Sequence, residues 1–289
     1  MNCIHCGSGN TIKRGSTKAG DPRRVCKDCK KWFAGEGAPR ILLLDIETSH
    51  IHATLWDKGD QYVRPSQITE SWFIICWSAK WLFEDKVMSD VVTSKESLAR
   101  DDKRVVTSIH KLMDQAHFII TQNGDRFDFK KLNWRFLKHR LAPNNHYHSI
   151  DTLKKARQIL APISLGLDEV GRELGFGGKD PMTEQDWFDA EAGMSSALKK
   201  MSTYCAGDVW RLEDWYLILR PWMKTHPNLA PYVDMYRELP EDETICSRCL
   251  NTIHKAKFSR KWRSPASGKL YKNGSCPHCG TQLRISVSK

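Results

Sequence analysis

The chain has 289 residues, 40% of them hydrophobic, with a mean hydropathy of −0.53; that is enough for one medium α/β domain plus small additions. No apolar run approaches the length of a membrane span, and the first twenty residues lack the apolar centre of a signal peptide, so the expected setting is cytoplasmic, with no membrane partner. A net charge of +11 and a pI near 9.2 point to a polyanionic partner, nucleic acid first.

The charge is concentrated at the two ends. Residues 1–40 carry nine Lys/Arg against three acids, and residues 241–289 carry ten against three. These surpluses of +6 and +7 exceed the whole-chain value and leave the middle at −2. The ten cysteines, in a reducing cytosol, read as metal ligands rather than disulfides.

Residues 1–36 hold Cys3-x-x-Cys6 and Cys26-x-x-Cys29. A two-residue gap lets one tight turn present both sulfurs to one ion, and two such knuckles complete a tetrahedral Cys₄ zinc site. The segment between them is short and basic (Lys13, Arg14, Lys18, Arg23, Arg24), with turn signals at Gly15 and Gly20. So small a unit has no core of its own, and zinc supplies its folding energy. With Trp32-Phe33 after the second knuckle, the pattern resembles the zinc ribbons at the start of some transposase proteins, which implies DNA binding; a ribbon used for folding or protein contact is the alternative. Gly35 to Pro39 reads as a linker.

Ile41 to Leu44 form an unbroken apolar run, as in a central strand buried on both faces, and Asp45 and Glu47 follow at i and i+2. On a strand both carboxylates face one side, where a divalent metal relieves their repulsion; a strand end running into a solvated acidic turn is the other reading. His52–Trp56, Trp72–Trp81 and Val87–Val92 are the next strand candidates and make an opening meander. Trp72, Trp77 and Trp81 serve either base stacking or the core. Helical spacing of Val105, Val106, Ile109, Leu112 and Met113 predicts a helix over 103–115, followed by a strand at Phe118–Thr121. Asn123-Gly-Asp-Arg-Phe127-Asp128 then falls at a strand-to-helix junction, where α/β proteins gather their sites, and a helix follows over 129–141. A short strand leads to Asp151-Thr152, a helix N-cap. A helix runs from Ser164 to Gly175, and Lys179 sits in a Gly-rich turn, either against phosphate or in solvent. The last helix, 195–219, stacks Tyr204 and Asp208 on one face and stops at Pro221. Cys76 and Cys205 have no partner spacing and are expected as buried thiols.

Residues 246–279 repeat the first tail with Cys246-x-x-Cys249 and Cys276-x-x-Cys279, a second structural zinc site. Between them Lys255, Lys257, Arg260, Lys261 and Arg263 alternate with Phe258 and Trp262, a pattern suited to backbone contact and base stacking, or to a solvated hairpin. Four thiolates around one Zn²⁺ carry −2, which lowers the tails to +4 and +5 and leaves both basic. His5, His254 and His278 lie near the knuckles, but each site already has four sulfurs.

Asp-Ile-Glu, Asn-x-x-x-Phe-Asp and Tyr-x-x-x-Asp, in that order across residues 40–220, resemble the three motifs of the DnaQ-like (DEDD) 3′–5′ exonucleases, and the tyrosine is similar to the subclass that includes proofreading domains of family B DNA polymerases. The resemblance implies an α/β ribonuclease-H-like fold, a mixed central sheet with flanking helices, over residues 39–240, between Cys₄ zinc ribbons at 1–36 and 241–289. It implies two Mg²⁺ or Mn²⁺ ions: Asp45 bridging both, Glu47 and Asp208 on the first, Asp128 on the second. Tyr204 orients the attacking water, since a phenol of ordinary pKa near 10 is a poor base at neutral pH. Asn123 and Phe127 shape the cleft or contact the terminal nucleotide, and Asp151-Thr152 resembles an accessory pair of the family. With no room for a polymerase domain, the expected protein stands alone or works with a replication or repair partner in a bacterial or phage-infected cell. DNA is the first substrate expected; RNA, or end recognition without catalysis, is the alternative.

Overall fold

A computed structural model describes Cys3 and residues 8–16, 22–30, 32–34, 39–178, 181–230 and 242–286. Cys6, His5, Lys18, Gly20, most of the 35–39 linker, Lys179 and the expected boundaries at 36 and 240–241 lie outside the described residues.

The chain opens with an antiparallel sheet of β1 (Thr11–Ser16), β2 (Pro22–Cys26) and β3 (Trp32–Ala34). It then enters β4 (Ile41–Thr48), the middle strand of a five-stranded mixed sheet. β5 (His52–Ala53) and β6 (Ile68–Glu70) form a small separate ribbon. β7 (Ile74–Trp81) and β8 (Val87–Val91) complete an antiparallel meander with β4. Two helices, α1 (Ser94–Leu98) and α2 (Lys103–Met113), lead to β9 (Phe118–Thr121), and α3 (Asp128–Lys138) crosses over to β10 (His148–Asp151). β9 lies parallel to β4 and β10 parallel to β9, giving the order β10-β9-β4-β7-β8. Then come α4 (Thr152–Ala156), α5 (Leu167–Leu174), α6 (Glu184–Glu191) and the long α7 (Ser195–Leu219). This is the mixed α/β sheet with flanking helices that the sequence leads one to expect.

β4 alternates between two layers. Leu42, Leu44 and Ile46 face the side packed by Val105, Val106 and Ile109 of α2 and Phe129 and Leu132 of α3. Ile41 and Leu43 face the side covered by Val209, Leu212 and Tyr216 of α7. Burial on both faces explains the unbroken apolar run, and each such side chain contributes about 1.5–3 kcal/mol. Lys80 of β7 is almost fully enclosed under α7, where its ammonium pairs with Glu213 and lies 3.9 Å from the Trp210 ring centroid. A buried charge is tolerated only with such a partner. Trp77 is a core residue whose Nε1 donates to the Val105 carbonyl at 3.0 Å, while Trp72 and Trp81 pack at the core margin.

Of the strand expected at His52–Trp56, only His52 and Ala53 form one, and it pairs with β6 outside the central sheet. Thr54 to Arg64 are exposed, Trp56 completely so, and that segment has no face to bury. The helix expected from Ser164 starts at Leu167, because Ser164 Oγ accepts the Gly166 N–H at 3.1 Å, a local turn that competes with helix. It ends at Gly175 in the left-handed conformation, φ 79°.

The C-terminal module contains β11 (Glu243–Ile245), β12 (Thr252–His254), and an antiparallel sheet of β13 (Arg260–Arg263), β14 (Leu270–Ser275) and β15 (Gln282–Ser286). It is seated on the end of α7. Ile245 and Leu250 join the core on that side, and the Arg248 guanidinium donates to the carbonyls of Arg220 (2.7 Å), Pro221 (3.2 Å) and Met223 just past the helix. Carbonyls at a helix C-terminus lack intrahelical donors and favour cations. Among the described residues no helix is long and apolar enough to cross a membrane.

Candidate active site

Asp45 and Glu47 lie opposite Ser78 and Cys76 of β7, on the α7 side of the sheet. The two-residue period of β4 therefore puts both carboxylates beneath the helix that carries Tyr204 and Asp208. Ligand oxygens of Asp45, Glu47 and Asp208 all lie within 4.8 Å of one another. This set joins residues far apart in sequence, and it is an all-oxygen set suited to a hard cation.

Asp128 stands beside this trio, in the first turn of α3. Burial first, and then the Asp45 charge, push its carboxyl well above the ordinary carboxylate range, against backbone hydrogen bonds from its own N–H and that of Ile46. Its Oδ1 is buried with no hydrogen-bond partner. A buried orphan oxygen is costly, and one beside three further carboxylates fits a cation-binding position. The loop that delivers Asp128 is tightly specified. Asn123 has φ 67°, and its N–H donates to Asp151 Oδ1 at 3.0 Å, while the Asp125 N–H donates to Asp151 Oδ2 at 3.1 Å. A Cβ on Gly124 would stand 2.1 Å from Thr121 Oγ1, so the loop has no room for any other residue there. Asp151 also accepts the Lys154 N–H at 3.0 Å as the N-cap of α4, so the expected cap is present and does a second job as a clamp on the Asn123–Asp125 turn.

Tyr204 is half-buried, its ring edge-on to Trp187 with centroids 6.1 Å apart. Phe127 is partly exposed beside Asp128 and shares Lys131 with Trp72: the ammonium lies 5.4 Å from the Phe127 ring and 3.8 Å from the Trp72 ring. Arg211 Nη1 is 3.5 Å from Asp208 Oδ1, while its Nε donates to the Gly178 carbonyl at 2.8 Å.

The sequence reading missed a layer behind the acids. The Cys205 thiol, fully buried, is 3.4 Å from Asp45 Oδ2 and hydrogen-bonds with Cys76, which in turn bonds to the Glu47 backbone. Burial, and next the Cys76 thiol, push the Cys205 thiol well up, so it stays protonated and donates. Cys205 lies three residues before Asp208 on α7, close enough to share its side of the helix, but the contact with Asp45 joins segments 160 residues apart.

Among the described residues the other seven cysteines fall into two groups. Sγ atoms of Cys246, Cys249, Cys276 and Cys279 cluster within 4.8 Å, with Cys246–Cys279 at 3.7 Å and Cys249–Cys276 at 3.6 Å. A disulfide has sulfurs about 2.05 Å apart. Four thiolates at about 2.3 Å from one tetrahedral ion stand about 3.8 Å apart, so the cluster matches a metal site. Cys3, Cys26 and Cys29 form a second group, Cys3–Cys29 at 3.5 Å. Lys257 is exposed in a single 3₁₀ turn, Trp262 lies on β13, and Arg260 is described through its backbone alone; all three belong to the C-terminal module rather than to the elements that carry the acids.

A sequence model of the RNase_H superfamily matches residues 75–220, half of the chain. The chain belongs to the RNase_H superfamily. The matched span holds Asp128, Tyr204 and Asp208 and begins within β7, after Asp45 and Glu47. Both acids nevertheless lie on the middle strand of the sheet that this RNase_H domain shares. No curated protein matches the chain.

Proposed function

We propose that the protein is a metal-dependent 3′–5′ exonuclease acting on DNA, of the DnaQ-like tyrosine subclass, with a catalytic domain over 39–240 between Cys₄ zinc ribbons at 1–36 and 241–289. The observation that carries this reading is the convergence of Asp45, Glu47 and Asp208, with the orphan oxygen of Asp128 alongside. Asp45, Glu47 and Asp208 would hold one Mg²⁺ or Mn²⁺, and Asp128 would contribute to holding a second. Bound there, such ions activate water and neutralise the leaving 3′ oxygen during in-line phosphodiester hydrolysis. Two divalent cations and four carboxylates sum to zero charge, which is why the central domain need not be basic although its substrate is a polyanion.

Tyr204 hydroxyl positions the attacking water. Phe127 and Asn123 shape the cleft for the terminal nucleotide, and the Asp151 clamp keeps the Asn123–Asp128 turn in place. Cys205 holds the Asp45 carboxylate by hydrogen bonding, as groups behind metal ligands commonly do. Zinc in the cysteine clusters is structural.

Digestion of 5′-labelled single- and double-stranded DNA and RNA, with Mg²⁺ or Mn²⁺, tests the reading beside Asp208→Ala. The expected result is a ladder shortening from the 3′ end of DNA, absent in the variant. A ladder on RNA alone changes the substrate. Intact strands throughout, or cleavage that survives Asp208→Ala, overturns the site.

A further inference from the structure

The most one-sided stretch of the chain is its last 46 residues, 244–289, which contain ten Lys/Arg and no Asp or Glu. Within it, the sheet β13-β14-β15 has two faces of different character. Leu283 and Ile285 of β15 turn toward the cysteine cluster and pack against it. Alternation along a strand sends Arg284, between them, to the other face. There Trp262 pairs with Tyr271 across β13 and β14, and Asn273, two residues on from Tyr271, pairs with Arg284 across β14 and β15. All three therefore share the outer face. The Trp262 and Tyr271 centroids are 5.7 Å apart, and the Arg284 guanidinium lies 3.8 Å from the Trp262 centroid and 5.5 Å from that of Tyr271.

We infer that this outer face is a binding site for single-stranded polynucleotide, with the Trp262–Tyr271–Arg284 stack as a platform for an unpaired base and the module's surplus of basic residues drawing the phosphate backbone. Tryptophan, tyrosine and guanidinium planes all offer a flat surface to a base, and bases inside a duplex have no free faces to stack on it. A guanidinium held over an aromatic ring keeps its edge donors free for phosphate. An acidic protein could answer the charge but would leave the stacked planes without a partner. The site is remote in sequence from the carboxylate cluster and stands or falls independently of the nuclease reading, since it needs no hydrolysis.

The test is fluorescence anisotropy with the full-length, zinc-loaded chain carrying Asp208→Ala, without chelator, on labelled oligo-dT, oligo-U, an abasic strand of equal length and a blunt duplex. Base-bearing single strands are expected to bind roughly tenfold more tightly than the abasic strand, in line with one or two stacked bases, and more tightly than the duplex. The oligo-dT and oligo-U arms rank DNA against RNA. Adding Trp262→Ala should remove most of that advantage and leave affinity for the abasic strand unchanged, Arg284→Ala should remove most of it while weakening every strand through the lost phosphate contact, and Trp262→Phe keeps it. Equal binding of abasic and base-bearing strands, preference for duplex, or no binding of any polynucleotide overturns the inference. An abasic penalty that persists unchanged in Arg284→Ala, whose exposed side chain is removed without opening the core, assigns the stacking to the carboxylate cleft instead and also overturns it. This arm decides the matter even if Trp262→Ala fails to fold.

Discussion

The carboxylate cluster and the C-terminal cysteine cluster each bring metal-ligand atoms within 4.8 Å of one another, yet they are built in opposite ways. In the C-terminal module the candidate ligands form most of a small core: among the described residues Cys246, Cys249 and Cys276 are buried with Ile253 and Phe258, and Leu283 and Ile285 pack against them. In the RNase_H domain the core is large and stands on both faces of β4, and the acids sit at its margin. Three carboxylates so close, with Asp128 beside them, repel one another without a cation. Metal bound at the cysteines would supply most of the folding energy of the small module, whereas metal bound at the carboxylates would add to a fold that its own core already holds, by relieving their repulsion.

The largest expected effect is on the cysteine side. Removing zinc, or Cys249→Ser, should unfold the module outright, because a structural zinc site contributes on the order of 10 kcal/mol to so small a unit. Limited proteolysis should then release residues from about 242 onward while far-UV circular dichroism of the helical domain persists; loss of the whole fold would break the comparison.

Asp208→Ala should lower the hydrolysis rate by roughly a thousandfold, the several kcal/mol that bound metal supplies. Without added Mg²⁺ its Tm should equal or exceed that of wild type, since a repelling charge has gone. A clear fall in Tm would mean that the acids hold the fold after all.

The seam between the two regions should be acid-sensitive. Tyr216 on α7 donates to His226 Nε2 across 2.8 Å, and His226 Nδ1 donates to the Pro227 carbonyl, so the imidazole is neutral. Burial, chiefly, pulls its pKa from 6.5 to about 4. Between those values the unfolded chain binds more protons than the folded one, so this stability is complete above pH 6.5 and is lost as pH falls toward 4. The loss amounts to roughly 3 kcal/mol. Urea midpoints measured across that range should fall with acidification in wild type and fall less in His226→Gln.

The smallest effect concerns the thiol behind Asp45. Cys205→Ala should weaken Mn²⁺ binding, followed by calorimetry, by about tenfold, while Cys205→Ser, which can still donate, retains most of it. Equal affinity in all three proteins would remove Cys205 from the site.

Much of this was legible in one dimension. The run Ile41–Leu44 announced a strand buried on both faces, and the i,i+2 spacing of Asp45 and Glu47 placed them on one side of it. The i,i+4 spacing of Tyr204 and Asp208 placed them on one helix face. These are consequences of backbone periodicity, which local sequence sets. The strand expected at His52–Trp56 was misread for the complementary reason: its residues suit a strand, but whether a segment joins a sheet depends on whether a neighbouring surface covers it, and Trp56 finds none.

Sequence alone thus determined the central strand, the shared side of Asp45 and Glu47 and the tight turns that present Cys246 with Cys249 and Cys276 with Cys279, because short spacings are local properties. Only the tertiary structure decided that Cys205 would reach Asp45, that Asp151 would clamp the turn before Asp128, and that Arg284 would lie over Trp262. Each of those contacts joins segments distant along the chain, and their distance from one another is set by how helices and strands pack, which no local pattern encodes.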